Sequence, residues 1–147
     1  MRLSKRTEYG LRAIVQLARL APRTYVQSKD LTRLEDLPNK FVESILLALR
    51  RGGFLESKVG SGGGYRLTKH PRDIVIGDII RRLEGRLTLK ESTPASEMSP
   101  GKIAVSILNQ ELTTAIDDVL ATLTLEQLVD QVSKLTGGPA QQEMYYI

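Results

Sequence analysis

Between Asn39 and Arg51 the chain sets Asn39, Lys40, Glu43, Ser44, Arg50 and Arg51 around the apolar residues Phe41, Val42, Ile45, Leu46 and Leu49. The apolar set recurs at helical spacing, so the polar residues share the outer face of one amphipathic helix. The chemistry open to such a face is recognition. Amide, hydroxyl, ammonium and carboxylate groups can hydrogen-bond to base edges in a DNA major groove. Asn39, Lys40, Glu43 and Ser44, near the helix start, are the candidates for base-edge or adjacent phosphate contacts. Glu43 can accept from a cytosine amino group or, equally, pair with a surface lysine. Gly52-Gly53 follows, then two strand-like runs, Phe54–Val59 and Tyr65–Leu67, around the turn Gly60-Ser61-Gly62-Gly63-Gly64. Lys58, Ser61, Gly62 and Gly63 in this wing can approach a phosphate backbone or minor groove, because glycine lets the main chain come close. Arg66 either reaches the same partner or braces the ribbon.

Lys5, Arg6, Ser28 and Lys29 are suited to clamping phosphates, helped by the free amides at the start of a second helix. Arg50 and Arg51 can do the same, although cations also favour a helix C-terminus on structural grounds alone. Other chemistries fit poorly. The glycine turn lacks a Gly-Lys-Ser/Thr ending and runs into a strand, which argues against a nucleotide phosphate loop. The single histidine, His70, precedes Pro71 and reads as a surface turn residue. No nucleophile elbow and no HExxH pair is present, so an enzyme is not expected. With no cysteine, a disulfide framework and a thiolate metal site are excluded.

The expected fold class is mainly α with a small β-ribbon: a winged helix-turn-helix plus a long C-terminal dimerisation helix. Ser4 to Leu20 carries a helical stripe of Tyr9, Ala13, Leu17 and Leu20, and Ala21-Pro22-Arg23-Thr24 breaks it. A short second helix runs from Gln27 to Leu34 with Ser28 as the expected N-cap. Glu35–Pro38 is the turn, where Asp36 tolerates the left-handed conformation. The third helix then ends on a left-handed glycine cap. Ile76–Leu83 reads as a fourth amphipathic helix closed by Gly85. From about Pro100 to Leu123 runs the longest helical pattern. Its residues Val105, Leu108, Leu112, Ala115 and Val119 alternate steps of three and four, the spacing of a helix-pairing seam. Ala104, Ile107, Ile116, Leu120 and Leu123 form a second apolar stripe, and a helix apolar on two faces must bury both. A homodimer is the economical expectation. Thr124-Leu125-Glu126-Gln127 matches a capping box and opens a last helix, ended by Gly137-Gly138-Pro139.

The organisation expected is a DNA-binding lobe over residues 1–85, with the helix-turn-helix at about 28–51 and the wing at about 54–67. A linker or sensing loop over 86–99, the dimerisation and final helices over 100–135, and a mobile tail over 136–147 follow. Residues 1–90 hold 19 Lys+Arg against 9 Asp+Glu, and residues 91–147 hold 2 against 8. The positive excess thus coincides with the helix and ribbon, which points that half toward a polyanion. No run approaches the length of a membrane span, and a charged amphipathic stretch follows the basic N-terminus where a secretion signal would have an apolar core. A cytoplasmic protein without membrane contact is expected. A protein-interaction module with no DNA binding of its own is the competing reading; it would use the long apolar helix but leave the basic half unexplained.

Several ordered segments resemble the bacterial winged-helix transcriptional regulators of the IscR/NsrR/CymR family. They are Met1-Arg2-Leu3-Ser4 with Tyr9, Phe41-Val42-Glu43, Leu49-Arg50-Arg51-Gly52-Gly53-Phe54, Gly62-Gly63-Gly64-Tyr65-Arg66-Leu67, Ile79 with Glu84-Gly85, and Thr124–Leu128. The resemblance implies a homodimer on double-stranded DNA at an inverted-repeat operator. It also implies a sensing segment before the long helix; a small-molecule effector, a protein effector and constitutive DNA binding are all open for this sequence. Many relatives carry three cysteines there around an iron–sulfur cluster. In this sequence Ser92 falls near the first such position and Met98 near the second. Serine is a poor ligand for a cluster that prefers thiolates, so no such cofactor and no metal is expected.

Overall fold

The computed structural model describes residues 3–20, 24–84 and 95–137. The chain forms α1 (Lys5–Arg19), α2 (Ser28–Glu35), α3 (Asn39–Arg51), β1 (Leu55–Lys58), β2 (Gly64–Leu67), α4 (Ile76–Glu84), α5 (Pro100–Thr122) and α6 (Leu125–Thr136). Short 3-10 turns lie at Pro71–Asp73 and Ala95–Glu97. The fold is mainly α with one two-stranded antiparallel ribbon, as the periodicities predict.

Local chemistry sets the boundaries. Ser4 caps α1, its Oγ accepting from the Thr7 amide at 3.2 Å. Asp36 closes α2 in the left-handed region (φ 51°, ψ 51°), where a short polar side chain is tolerated. At the end of α3 the Gly53 amide donates to the Arg50 carbonyl and the Phe54 amide to that of Leu49, both at 3.0 Å. With Gly53 at φ 85° this is a Schellman closure, and it turns the chain straight into β1. Thr124 and Gln127 cap α6 reciprocally, the capping box expected from sequence.

The core joins one face each of α1, α3 and α4 to single residues from α2, the two strands and α6. Ile14, Leu17, Leu31, Leu46, Leu49, Leu55, Ile79 and Leu125 are all fully or almost fully buried. Burial of this kind is the main source of stability and fixes how α3 is presented. Leu125 belongs to α6, which packs on α1 and on the Pro71–Asp73 turn. A two-bond clasp starts that return: the Ile76 amide donates to Leu123 (2.9 Å) and the Leu125 amide to Ile74 (2.8 Å). The final helix, grouped with α5 on sequence, therefore makes its contacts with the N-terminal lobe.

Two sequence expectations are corrected here. Phe41, assigned to the buried face of α3, is 48 % exposed. It lies about a quarter-turn from the line of Val42, Ile45, Leu46 and Leu49, past the edge of the core. Ser28 is not the N-cap of α2 but its first residue; Gln27 holds the cap position and makes no side-chain cap bond. Within the expected 86–99 loop, 95–97 form a 3-10 turn and Ser99 caps α5, accepting from the Lys102 amide. Gly85, Ser92, Gly138, Pro139 and the apolar end Met144–Ile147 lie outside the described residues.

Candidate functional site

The wing does not stand free of the helices. The Val26 amide donates to the Tyr65 carbonyl at 2.9 Å, and the Tyr65 amide returns a bond to the Val26 carbonyl at 2.8 Å. The chain just before α2 thereby adds a one-residue third rung to the ribbon. Gly64 makes the approach possible: its φ is 130°, and a Cβ there would run into the Val26 carbonyl. On the outside, the Tyr25 ring has the Arg66 guanidinium 4.3 Å from its centroid and the Lys58 ammonium at 5.9 Å. Arg66 also pairs with Glu56 across the ribbon. Of the two roles open to Arg66, bracing is the one these contacts fill.

The same wing is bound to α3. Arg50 Nη1 donates to Ser57 Oγ at 3.0 Å. Glu43 accepts from Ser28 Oγ at 2.5 Å through one oxygen and from the Tyr65 hydroxyl at 3.4 Å through the other. One carboxylate thus ties together the start of α2, the first half of α3 and β2. The lysine pairing considered for Glu43 is not formed, because two hydroxyls take its place. Burial, then the adjacent Glu43 charge and hydrogen bond, push the Tyr65 phenol above its ordinary value, with Arg50 opposing.

On the other flank of α3, Arg6 Nη1 donates to Ser44 Oγ at 3.3 Å, and Arg82 Nε of α4 donates to the Ala48 carbonyl at 3.0 Å. Glu84, at the end of α4, accepts from the Ser4 amide at 2.7 Å. The Ser4 contacts hold its carboxyl below the ordinary glutamate value. Helix α3 is therefore braced from α1 and α4 on one side and from the wing and α2 on the other.

What remains outward is a set of polar residues on α3, its flanking helices and the wing. Asn39, Lys40, Ser44 and Arg51 on α3, Lys5 and Arg6 on α1, Lys29 on α2, and Lys58, Ser61 and Gly62 on the wing are all exposed. Lys5 is 3.4 Å from Glu8. Gly63 departs from the group: it is buried inside the turn, where a Cβ would strike the Lys58 carbonyl. Tyr25 and Arg82 were not singled out from sequence. Nothing local marks Tyr25 as a platform for two cations, and Arg82 reads only as one of two adjacent arginines in the last turn of α4.

Beyond this lobe, α5 has no buried residue. Val105, Leu108, Leu112 and Val119 are each 52–60 % exposed, and Ala104, Ile107 and Ala115 are exposed beside them. No helix among the described residues is long and apolar enough to cross a membrane.

The family model Rrf2, described as an iron-dependent transcriptional regulator, matches residues 3–131. The HTH-type transcriptional regulator CymR of Bacillus subtilis is 30 % identical over 147 residues, the full length of both chains. The protein rrf2 of Nitratidesulfovibrio vulgaris is 29 % identical over 136 residues, 90 % of each. Among solved structures, CymR, the global cysteine regulator of B. subtilis, superimposes with a TM-score of 0.75 at 30 % identity, over 89 % of this chain and 98 % of that one. IscR of T. potens gives 0.74 at 29 % identity, over 92 % and 90 %.

Proposed function

Since this chain belongs to the Rrf2 family of transcriptional regulators, we propose that it acts as a homodimeric repressor on an inverted-repeat operator. Each α3 enters a major groove, with Asn39, Lys40, Glu43 and Ser44 nearest the bases. Lys5, Arg6, Ser28, Lys29, Arg50 and Arg51 face the flanking phosphates. The wing carries Lys58, Ser61 and Gly62 toward the neighbouring backbone or minor groove, with Gly63 shaping the turn and Arg66 holding it rigid. The observation that carries this reading is the exposed polar face of α3 joined edge to edge with the wing by the Arg50–Ser57 and Glu43–Tyr65 contacts. Val105, Leu108, Leu112, Ala115 and Val119 of α5 form the seam between two copies, which sets the two recognition helices about one turn of DNA apart.

The regulator acts in the cytoplasm, and no reaction of its own is needed. An effector, small molecule or protein, works through the segment before α5. The residues present do not fit the iron–sulfur cluster of related proteins. The chain has no cysteine, and its one histidine caps the Pro71–Asp73 turn beside Glu126. Among the described residues, no group of three or more His, Cys, Asp or Glu could hold a metal ion. We therefore assign no cluster to this chain.

Selection of bound genomic fragments supplies the operator, and fluorescence anisotropy across a salt series then tests the reading. Several phosphate contacts predict a steep fall of affinity with salt. Failure to bind any duplex at low salt would favour a protein-interaction module instead.

A further inference from the structure

Phe41 is the one exposed apolar residue of the first turn of α3, half exposed on a helix whose other exposed residues are polar or charged. Among the described residues its neighbours leave about half of it open. Lys40 lies with its ammonium 5.5 Å from the ring centroid, and Ser44, one turn on, is engaged by Arg6. The ring therefore sits open among the polar residues at the start of α3, with one cation, Lys40, against it. An apolar surface left open at that place on a helix lying in a major groove meets the groove wall. The apolar group DNA offers there is the thymine C5-methyl.

Resting on the DNA-binding reading above, we propose that Phe41 is a specificity-determining residue that recognises a thymine methyl in each half-site. The ring contributes by contact and exclusion of water, so it discriminates thymine from cytosine without a hydrogen bond.

Deoxyuridine in place of thymidine removes only the methyl, which isolates this contact. Affinities are measured for the selected operator and for duplexes carrying uracil at each thymine in turn. Removing a buried methyl is expected to weaken binding of the unaltered protein about fourfold at one position per half-site. Phe41→Ala is expected to bind the thymine and uracil duplexes equally at that position, and Phe41→Leu to retain part of the difference. Circular dichroism and thermal melting of Phe41→Ala should match the parent, since the ring is not in the core. A large drop in melting temperature would mean that the chain's own residues cover Phe41, and would overturn the proposal. So would indifference of the parent protein to every uracil, or a full thymine preference retained in Phe41→Ala. The DNA reading itself survives these last two outcomes. It fails only if the parent protein binds no duplex, and then the methyl contact fails with it.

Discussion

Glu43 of α3 accepts a 2.5 Å hydrogen bond from Ser28 Oγ at the start of α2. Its second oxygen faces the Tyr65 hydroxyl. A carboxylate that serves two hydroxyls of its own protein has fewer lone pairs left for a base edge. Any contact it makes with DNA must compete with them.

That arrangement predicts a titration. The Tyr65 phenol lies above its ordinary value of 10.0 because of burial first and Glu43 second. In Glu43→Gln the charge is removed and burial remains, so Tyr65 should titrate lower than in the parent but still above 10.0. Because the folded value is raised, the stability linked to Tyr65 is fully present below the unfolded value and disappears as pH rises through the folded one. Ultraviolet difference titration, with Tyr65→Phe to assign the signal, checks this. An unchanged Tyr65 transition in Glu43→Gln would contradict the coupling.

Gly64 gives a prediction about the wing. A methyl group there meets both a disfavoured φ of 130° and the Val26 carbonyl. Gly64→Ala should cost about 2 kcal/mol or more, since the backbone must move to relieve it. Gly60→Ala, with φ 95° but open space around the new methyl, should cost about 1 kcal/mol from conformation alone. Urea melts with unchanged m-values give both differences. Equal costs at the two sites would mean that the Val26–Tyr65 rung is not held closely.

Glu84 predicts a pH dependence of opposite sense to that of Tyr65. Its carboxyl is lowered by its bonds to Ser4, so its contribution is present above the unfolded glutamate value of about 4.3 and lost as pH falls through the folded one. The group lies partly exposed at the surface, where screening limits the effect to less than about 1 kcal/mol. Glu84→Gln should therefore be slightly less stable than the parent at pH 7 and indistinguishable from it near pH 3. A difference that persists undiminished in acid would assign the effect to packing, not charge.

The helices were legible in the sequence because their signals are local. Ser4, Asp36, Gly52-Gly53 and Thr124–Gln127 each act within one turn of chain. Phe41 was misplaced because an apolar stripe of helical period is broad, and its edge residue is buried only if a neighbour covers that edge. The Val26–Tyr65 rung had no signature, since a one-residue bridge carries no alternation to detect. Likewise the amphipathic pattern of α6 says that one face must be covered, but not that α1 covers it. Of the candidate site, the outward cations could be assigned from helical phase, whereas the internal engagements of Glu43, Arg50 and Arg66 depend on how α2, α3 and the ribbon meet in space.

Two lysines separate the roles of helix and wing. Lys40 is exposed in the first turn of α3, and Lys58 stands at the end of β1 against Tyr25. Lys40→Ala should weaken operator binding by about 1–3 kcal/mol and relax the preference at one base position. Lys58→Ala should weaken operator and unrelated duplex alike, and reduce the salt slope by about one. Anisotropy titrations over a salt series measure both. If Lys58→Ala left the slope untouched while changing sequence preference, the wing would be reading bases and not holding the backbone.

The exposed stripe on α5 makes the strongest claim about assembly. Leu112 is 52 % exposed within the protomer and no residue of α5 is buried, so the fold of one chain does not depend on the Leu112 side chain. Leu112→Asp should therefore leave the circular dichroism of the protomer intact. In the pairing of two copies, however, each aspartate would be desolvated near an apolar partner without a counter-charge, which is strongly unfavourable. Sedimentation equilibrium should find the parent dimeric and Leu112→Asp monomeric in the low micromolar range. Operator affinity should fall with it, because a single lobe can hold only one half-site and loses the effective concentration that links the two. A dimeric Leu112→Asp would show that this stripe is covered by something other than a second copy of α5.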